Sequence, residues 1–150
     1  MDKKPNNWQN YMKLEFASLP ENVGFARVAV ASFISQVDLT LNDLEEIKVA
    51  ISEAVSNAII HGYENKPYGI VAVEVFRNKN MITIVIEDHG VGINDIEQAM
   101  QPAYTTDPER MGLGFVFMKS FMDDLIVDSH LGKGTTVTMS KKINSLEAIN

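Results

Sequence analysis

The sequence Glu53-Ala-Val-Ser-Asn57-Ala-Ile-Ile-His61 lies within the longest helical pattern of the chain. Glu53, Asn57 and His61 follow one another at intervals of four residues, so they stack on one face of a helix. A separate apolar stripe runs beside them and consists of Leu44, Ile47, Ile51, Ala54, Val55 and Ala58. The helix is therefore predicted to pack through one face and to present a carboxylate, an amide and an imidazole on another. A solvated helix flank is typical of the same residues, so this stretch alone leaves both interpretations open.

Two glycine segments later in the chain favour a binding site over a solvated flank. Asp88-His-Gly90-Val-Gly92 follows a run of Ile and Val, and Gly112-Leu-Gly114 opens a second predicted helix. A carboxylate that closes an apolar strand needs a hydrogen-bond donor, because burying an unpaired charge is costly. Exposed backbone N–H groups at a helix start suit phosphate. Taken singly, the first segment is also typical of a β-turn and the second of close helix packing.

The composition is that of one globular domain with an excess of negative charge. The 150 residues are 45% hydrophobic and 22% charged, and 20 acidic against 13 basic residues give a formal charge of -7. This balance argues against binding to a nucleic-acid backbone. The chain has no cysteine, which excludes disulfides and thiolate metal sites. No apolar run reaches membrane-spanning length and residues 1–8 are too polar for a signal peptide, so we expect a cytoplasmic protein without a membrane partner.

Hydrophobic periodicity predicts an order of helices and strands that is typical of an α+β sandwich. Helical spacing is found in four segments, at about 18–36, 41–61, 94–100 and 112–122. Alternating or β-branched runs predict five strands, at 12–16, 70–76, 81–87, 125–128 and 135–139. The predicted helix caps are Ser18 with Glu21, Thr40, and Asn94. Residues 101–111 are predicted to form a lid or binding loop, and residues 2–10 a mobile terminus.

The order of these segments resembles the GHKL nucleotide-binding superfamily, whose members include DNA gyrase B and the ATP-binding domains of histidine kinases. Residues 53–61 match its N box, residues 88–92 its first glycine box, and residues 112–114 with Gly134 and Thr135 its second. The ordered set is far more specific than a single Gly-x-Gly motif. The resemblance implies the Bergerat fold, a mixed and mostly antiparallel sheet covered on one face by helices. It implies a single domain with an ordered core at about 12–141, in which ATP lies between the layers.

The same resemblance implies a role for each residue of the boxes. Asn57 would be the side-chain ligand of Mg²⁺, an ion that binds few protein groups. Glu53 would be the catalytic base, with a hydrogen bond to the metal's waters as the alternative role. Arg110 would contact the γ-phosphate, unless it is a solvated residue of the lid. The other residues implied to surround ATP are Asp88, Gly90, Gly92 and Thr135 at the adenine, and Gly112 and Gly114 at the phosphates.

Within the superfamily, the chain is similar to the small anti-sigma factor serine kinases of sporulating bacteria, and among these to the sigma-F type. The similarity covers about residues 12–141 and includes the segments 25–28, Gln101-Pro102, Thr105-Thr106 and Phe121-Met122-Asp123. It implies two partners, a sigma factor that is inhibited and an anti-anti-sigma protein that is phosphorylated on serine. Arg27 would contact these partners, although an exposed arginine on a helix shoulder is the simpler explanation. The first strand would pair across a homodimer.

The lid is where this sequence departs from that family. Members usually carry Leu-Glu-Arg-Ser-Gly-Met-Gly-Phe, whereas residues 108–115 read Pro-Glu-Arg-Met-Gly-Leu-Gly-Phe and the lid is shorter. Nucleotide binding is expected to survive because the glycines remain, whereas lid closure and the rate of phosphate transfer are open. A general-stress anti-sigma kinase of the sigma-B type is one alternative. A non-catalytic module that binds partners under the control of ATP is another.

Overall fold

Five strands form a single sheet in the computed structural model, which describes residues 4–101 and 111–143, with the backbone alone for 111–113. The strands are β1 (Asn10–Ala17), β2 (Ile70–Arg77), β3 (Met81–Asp88), β4 (Asp124–His130) and β5 (Gly134–Lys142). Their order in the sheet is β1-β2-β3-β5-β4, so β1 and β4 are the edges. The predicted α+β fold is confirmed. The expected mixed sheet is instead wholly antiparallel over the described strands.

The helices cover one face of this sheet and close the hydrophobic core. They are α1 (Asn22–Ile34), α2 (Leu41–Asn57), α3 (Ile96–Ala99) and α4 (Met111–Phe121). Because side chains alternate along a strand, β2 directs Val71, Val73 and Val75 to the same face, where all three are fully buried. They share one cluster with the apolar stripe of α2, as its spacing predicts. Among the described helices, none has the length and apolar character needed to cross a membrane.

Two of the three predicted helix caps are wrong. The cap of α2 is confirmed, because the Thr40 side chain accepts a hydrogen bond from Asp43 N at 3.0 Å. For α3 the cap is Asp95 and not Asn94, one residue later than predicted. α1 begins at Asn22 without a side-chain cap, so the predicted capping box does not form.

Ser18, predicted to cap α1, holds the sheet together instead. Its hydroxyl donates to Lys66 O at 2.5 Å and accepts from Gly69 N at 3.0 Å. These bonds tie the chain that leaves β1 to the loop that leads into β2. The spacing of Ser18 and Glu21 suits a capping box, but a partner 48 residues away takes the hydroxyl.

The polar helix changes its geometry after Asn57, where α2 continues as a π-helical turn over Ala58–Gly62. The bond that defines this wider turn runs from Tyr63 N to Ala58 O at 2.9 Å. The prediction of one regular helix to His61 is therefore wrong in the last turn. A π-helical turn contains more residues than an α-helical one, so the rotation of His61 about the helix axis differs from that in a regular helix, yet His61 and Asn57 line the same cleft. Such turns are frequent at functional sites.

Residues 4–9, predicted to be mobile, lie against the outer face of the sheet, and we call them the N-terminal strap. Lys4 Nζ is 2.6 Å from Glu74 Oε1, and the Trp8 and Tyr11 rings are in contact with centroids 5.4 Å apart. Glu74 alternates with the core valines of β2, so it belongs to the face opposite the helices. The strap therefore has a defined position beside the edge strand β1.

Candidate functional site

A cleft of about 640 Å³ lies where the end of α2 approaches the ends of β3 and β5. This volume is typical of pockets that hold a small organic ligand. The cleft is lined by predicted site residues from three segments, namely Asn57, Asp88 with Gly92, and Thr135. The apolar part of the remaining wall consists of Ala54, Ala58, Ile86, Ile93, Ala99, Phe115 and Val137. The structure thus brings the N box and the first glycine box to one cavity.

Asp88 is a buried carboxylate in this cleft. It is the last residue of β3 and is 5% exposed. Its Oδ1 accepts a hydrogen bond from Gly90 N at 2.9 Å, and the backbone N–H of Thr135 also donates to the carboxylate. Burial raises the pKa of Asp88 above its ordinary value, and the two N–H donors offset only part of that effect. The carboxylate retains acceptor capacity for a donor on a ligand.

The first glycine box docks on the end of the π-helical turn. A Cβ on Gly90 would collide with the carbonyl of Gly62, to which Val91 N donates at 2.8 Å. A Cβ on Gly62 would in turn lie 2.8 Å from Asp88 Oδ1. Gly92 has a φ of +80°, a conformation that favours glycine. Small residues on both sides therefore let the turn and the carboxylate approach each other.

The hydroxyls of Ser129 and Tyr63, which were not predicted from the sequence, form hydrogen bonds with residues at the cleft. Ser129 Oγ lies 2.7 Å from Thr135 Oγ1 and accepts a hydrogen bond from Ile93 N at 2.7 Å. The Tyr63 hydroxyl accepts from His89 N at 2.7 Å and so holds the first glycine box. The predicted β4–β5 hairpin was the sequence feature that could have indicated Ser129, because the register of that hairpin places Ser129 opposite Thr135.

Glu53 and Asn57 both meet the second glycine box at Gly114. A Cβ on Gly114 would lie 3.0 Å from Asn57 Nδ2 and 3.3 Å from Glu53 Oε2. Asn57 Nδ2 is buried, and within residues 4–101 and 111–143 it has no hydrogen-bond partner. Asn57 lines the cleft, whereas Glu53 lies one turn earlier and is not among its lining residues. Gly112 lies in the first turn of α4. A buried amide without a protein partner fits a ligand contact.

Of the remaining predicted site residues, Arg27 lies elsewhere and Arg110 is not described by the structure. Arg27 does not line the cleft; it is half-buried on α1, where its Nη1 donates to Ser52 Oγ at 3.1 Å. Arg110 lies outside the described residues, as do residues 102–110 of the predicted lid. Three polar residues that line the cleft were not predicted, namely Asn94, Asp95 and Gln98. Polar residues after a glycine turn are typical of any loop, so the sequence held no signal that set them apart.

These groups together suit a nucleotide. Asp88 can accept a hydrogen bond from the amino group of a purine, and the start of α4 can receive phosphate oxygens. The fold and the cleft thus define a nucleotide-binding domain. The family profile described as "Histidine kinase-like ATPase domain" matches residues 16–141.

Comparison with curated relatives shows which kind of nucleotide-binding domain the chain contains. An anti-sigma F factor of Clostridium beijerinckii is 53% identical over 137 residues, which cover 90% of this chain and 96% of the relative. An anti-sigma F factor of Geobacillus kaustophilus is 50% identical over 143 residues, which cover 94% of this chain and 98% of the relative. The chain therefore belongs to the histidine kinase-like ATPase family and, within it, to the anti-sigma F factors. The family predicted from the sequence is confirmed.

A solved structure has the same fold. The crystal structure of the RsbU and RsbW domains of a Mycobacterium tuberculosis protein matches with a TM-score of 0.66 at 17% identity. The match covers 90% of this chain and 33% of that one, so this chain corresponds to about a third of the larger molecule. At this identity the likeness concerns the fold alone.

Proposed function

We propose that the protein is an anti-sigma factor that uses ATP to phosphorylate a serine of its protein antagonist. The observation that carries the proposal is the meeting of Glu53 and Asn57 at Gly114, beside a cleft that contains the buried Asp88. Phosphoryl transfer depends chiefly on positioning and on stabilisation of charge, and these groups suit both tasks. The names of the relatives support a sigma factor of the sigma-F type as the inhibited partner.

The adenine of ATP fits the inner part of the cleft. Its amino group would donate to Asp88, whose backbone hydrogen bonds leave acceptor capacity. Thr135, with its hydroxyl oriented by Ser129, would bind beside it directly or through water. Guanine carries a carbonyl oxygen where adenine has the amino group, so the carboxylate would repel it. The site therefore favours ATP over GTP.

The phosphates and Mg²⁺ would lie between Asn57 and the start of α4. Mg²⁺ takes few protein ligands and keeps phosphate oxygens and waters around it. The buried Asn57 amide nitrogen supports its role as that ligand, because it has no hydrogen-bond partner among the described residues and a flip of the amide exchanges nitrogen and oxygen. Bound there, the ion would supply neutralisation of phosphate charge. Gly112 and Gly114 would offer backbone N–H groups, and Arg110 is proposed to contact the γ-phosphate.

Glu53 is proposed as the base that accepts the proton of the partner's serine hydroxyl. Its carboxylate lies next to Asn57 at Gly114 and outside the lining of the cleft, and the residue is half-buried. The alternative role is a hydrogen bond to the waters of the metal. Glu53→Gln separates the two roles, because an amide can still bind water but cannot accept the serine proton.

Protein partners would bind to the helical layer around Arg27. Exposed apolar residues also occur on α1 and α4, with Phe25 54%, Val28 64% and Phe117 37% exposed. Exposed apolar groups on several helices of one layer are typical of a protein interface. We propose that the sigma factor and the anti-anti-sigma protein compete for this surface. A homodimer would form separately through β1, which is an edge of the sheet among the described strands.

The test is incubation of the protein with γ-labelled ATP, Mg²⁺ and an anti-anti-sigma protein, with a partner whose acceptor serine is alanine as control. We expect label on the wild-type partner alone. Glu53→Ala should lower the rate roughly 100-fold or more, the usual contribution of a general base. The affinity for ATP should change little in that variant.

Glu45→Ala is the matched control, since Glu45 lies on the same helix, is exposed and pairs only with Lys48 among the described residues. Its rate of transfer should equal that of the wild type. ATP binding without transfer to any partner would contradict the kinase proposal and indicate a binding module controlled by nucleotide. Capture of a sigma-B type factor in place of sigma-F would contradict the proposed partner.

A further inference from the structure

We propose that Ser52 is a positioning residue that holds Arg27 ready to receive a carboxylate of the protein partner. The inference rests on the proposed partner binding and specifies the chemistry by which the partner is recognised. It concerns the contact between α1 and α2, outside the residues that line the nucleotide cleft.

The Ser52 hydroxyl uses its hydrogen-bonding capacity within the helical layer. It donates to Lys48 O at 2.8 Å, in the preceding turn of α2, and accepts from Arg27 Nη1 at 3.1 Å. A hydroxyl has a single proton, and here that proton is directed to Lys48 O. The oxygen therefore presents a lone pair to the guanidinium, and the bond holds Arg27 in one orientation across the two helices.

Arg27 keeps N–H donors for a second acceptor. A guanidinium carries several donors in a planar fork. In the part of the chain that the structure describes, Ser52 Oγ is the one acceptor bonded to Arg27, and no carboxylate pairs with it. A Cβ added at Gly24 would lie 3.5 Å from Arg27 Nη2, so that nitrogen lies beside Gly24, which has no side chain to cover it. A half-buried guanidinium with unfilled donors suits a bidentate carboxylate.

The geometry around Arg27 specifies the charge of the partner group and not its apolar neighbours. Phe25 lies two positions before Arg27 on α1, so it projects from another side of the helix, where its ring packs on Phe16. A guanidinium held on the α2 side is complementary to an acidic residue of the partner. Because Ser52 precedes Glu53 in α2, a partner anchored at Arg27 is held next to the turn that carries the proposed base.

The experiment measures binding of the anti-anti-sigma protein, with its acceptor serine replaced by alanine so that no transfer occurs, by calorimetry at saturating ATP and Mg²⁺ in four forms of the protein. Ser52→Ala is expected to weaken binding roughly 2- to 10-fold, the range for losing the preorganisation of one flexible side chain. Arg27→Ala should weaken it further, because it removes the contact itself. The double variant should equal Arg27→Ala, because Ser52 acts through Arg27 alone.

Kinetics and a conservative variant separate positioning from a structural role. Ser52→Ala should raise the KM for the protein substrate and leave kcat and the ATP affinity unchanged. Ser52→Thr, which keeps the hydroxyl, should restore wild-type binding. Unchanged partner affinity in Ser52→Ala would overturn the inference, as would an equal further loss in the Arg27→Ala background. A wild-type protein that binds the partner but transfers no phosphate would refute the kinase alone, whereas absence of partner binding would overturn both proposals.

Discussion

Two carboxylates of the described chain are buried on opposite faces of the same sheet, and their surroundings differ. Asp88, at the cleft, is 5% exposed and is held by backbone N–H groups. Glu74, on the outer face, is 9% exposed and is held by side chains, with Lys4 Nζ at 2.6 Å and the Tyr11 hydroxyl at 2.8 Å. Glu74 thus has the positive charge of Lys4 in direct contact, whereas the hydrogen bonds given for Asp88 come from backbone dipoles.

The difference separates a structural carboxylate from one suited to a ligand. Both oxygens of Glu74 are bonded to neighbours from the strap and β1, so the group is complete without any other molecule. The carboxylate of Asp88 is buried in the wall of a cleft, and its pKa is raised because its donors do not compensate its burial. A donor on a ligand would supply the missing stabilisation.

The largest effect is expected from Asp88→Asn on the affinity for ATP. The backbone donors hold the amide oxygen, so the amide nitrogen of the variant would face the adenine amino group. Losing a hydrogen bond to a charged group costs about 1.5–3 kcal/mol, which corresponds to roughly 10- to 150-fold weaker binding. Calorimetric titration with ATP and Mg²⁺ measures the change. Glu74→Gln is the matched control and should bind as the wild type does; equal affinity in both variants would break the distinction.

A smaller effect is expected from Glu74→Ala, on stability and not on nucleotide binding. The change leaves the Tyr11 hydroxyl without its acceptor, while Lys4 is 38% exposed and can return to water. We expect the free energy of unfolding to fall by about 1–2 kcal/mol. Urea denaturation checks this value, and fluorescence of Trp8, the single tryptophan, reports the release of the strap. A loss of ATP affinity equal to that of Asp88→Asn would contradict the structural role.

The smallest effect is expected in the pH dependence of stability without nucleotide. The folded-state pKa of Asp88 is raised above its ordinary value of 3.8, so its favourable contribution is complete below that value and is lost as the pH rises through the raised pKa. The Asp88→Asn variant has no carboxylate at this position, so it does not lose stability as the pH rises. Its free energy of unfolding relative to that of the wild type should therefore increase from acidic to neutral pH. Thermal unfolding of both proteins across that range measures it. A difference that shrinks toward neutral pH would have the wrong sign.

Local patterns were sufficient for most of the helices and strands. The β2–β3 hairpin, the cap at Thr40 and the buried stripe of α2 lie where the sequence predicts them. Each depends on residues a few positions apart, whose geometry follows from the repeat of a helix or strand. The N box and the glycine boxes were also located from local patterns. Asn57 and Asp88 line one cleft and Gly114 lies beside Asn57, while the roles of these residues toward ATP stay predictions.

The cap of α3 was wrong by one residue, whereas two other errors occurred where distant segments meet. Ser18 bonds to a loop 48 residues away and leaves α1 without its predicted cap. The N-terminal strap is positioned by Glu74 on β2, and no pattern within residues 4–9 encodes that contact. The short lid departs from the family pattern, and its consequence for transfer will be decided by the rate of phosphorylation.

The sequence by itself determined the α+β fold, the family and the order of the boxes, because side-chain periodicity and motif spacing are written along the chain. Only the tertiary structure decided the π-helical turn after Asn57, the support of Thr135 by Ser129, and the bond from Arg27 to Ser52. These features depend on how closely separate segments approach one another. That distance is set by packing of the whole core, which no local period specifies.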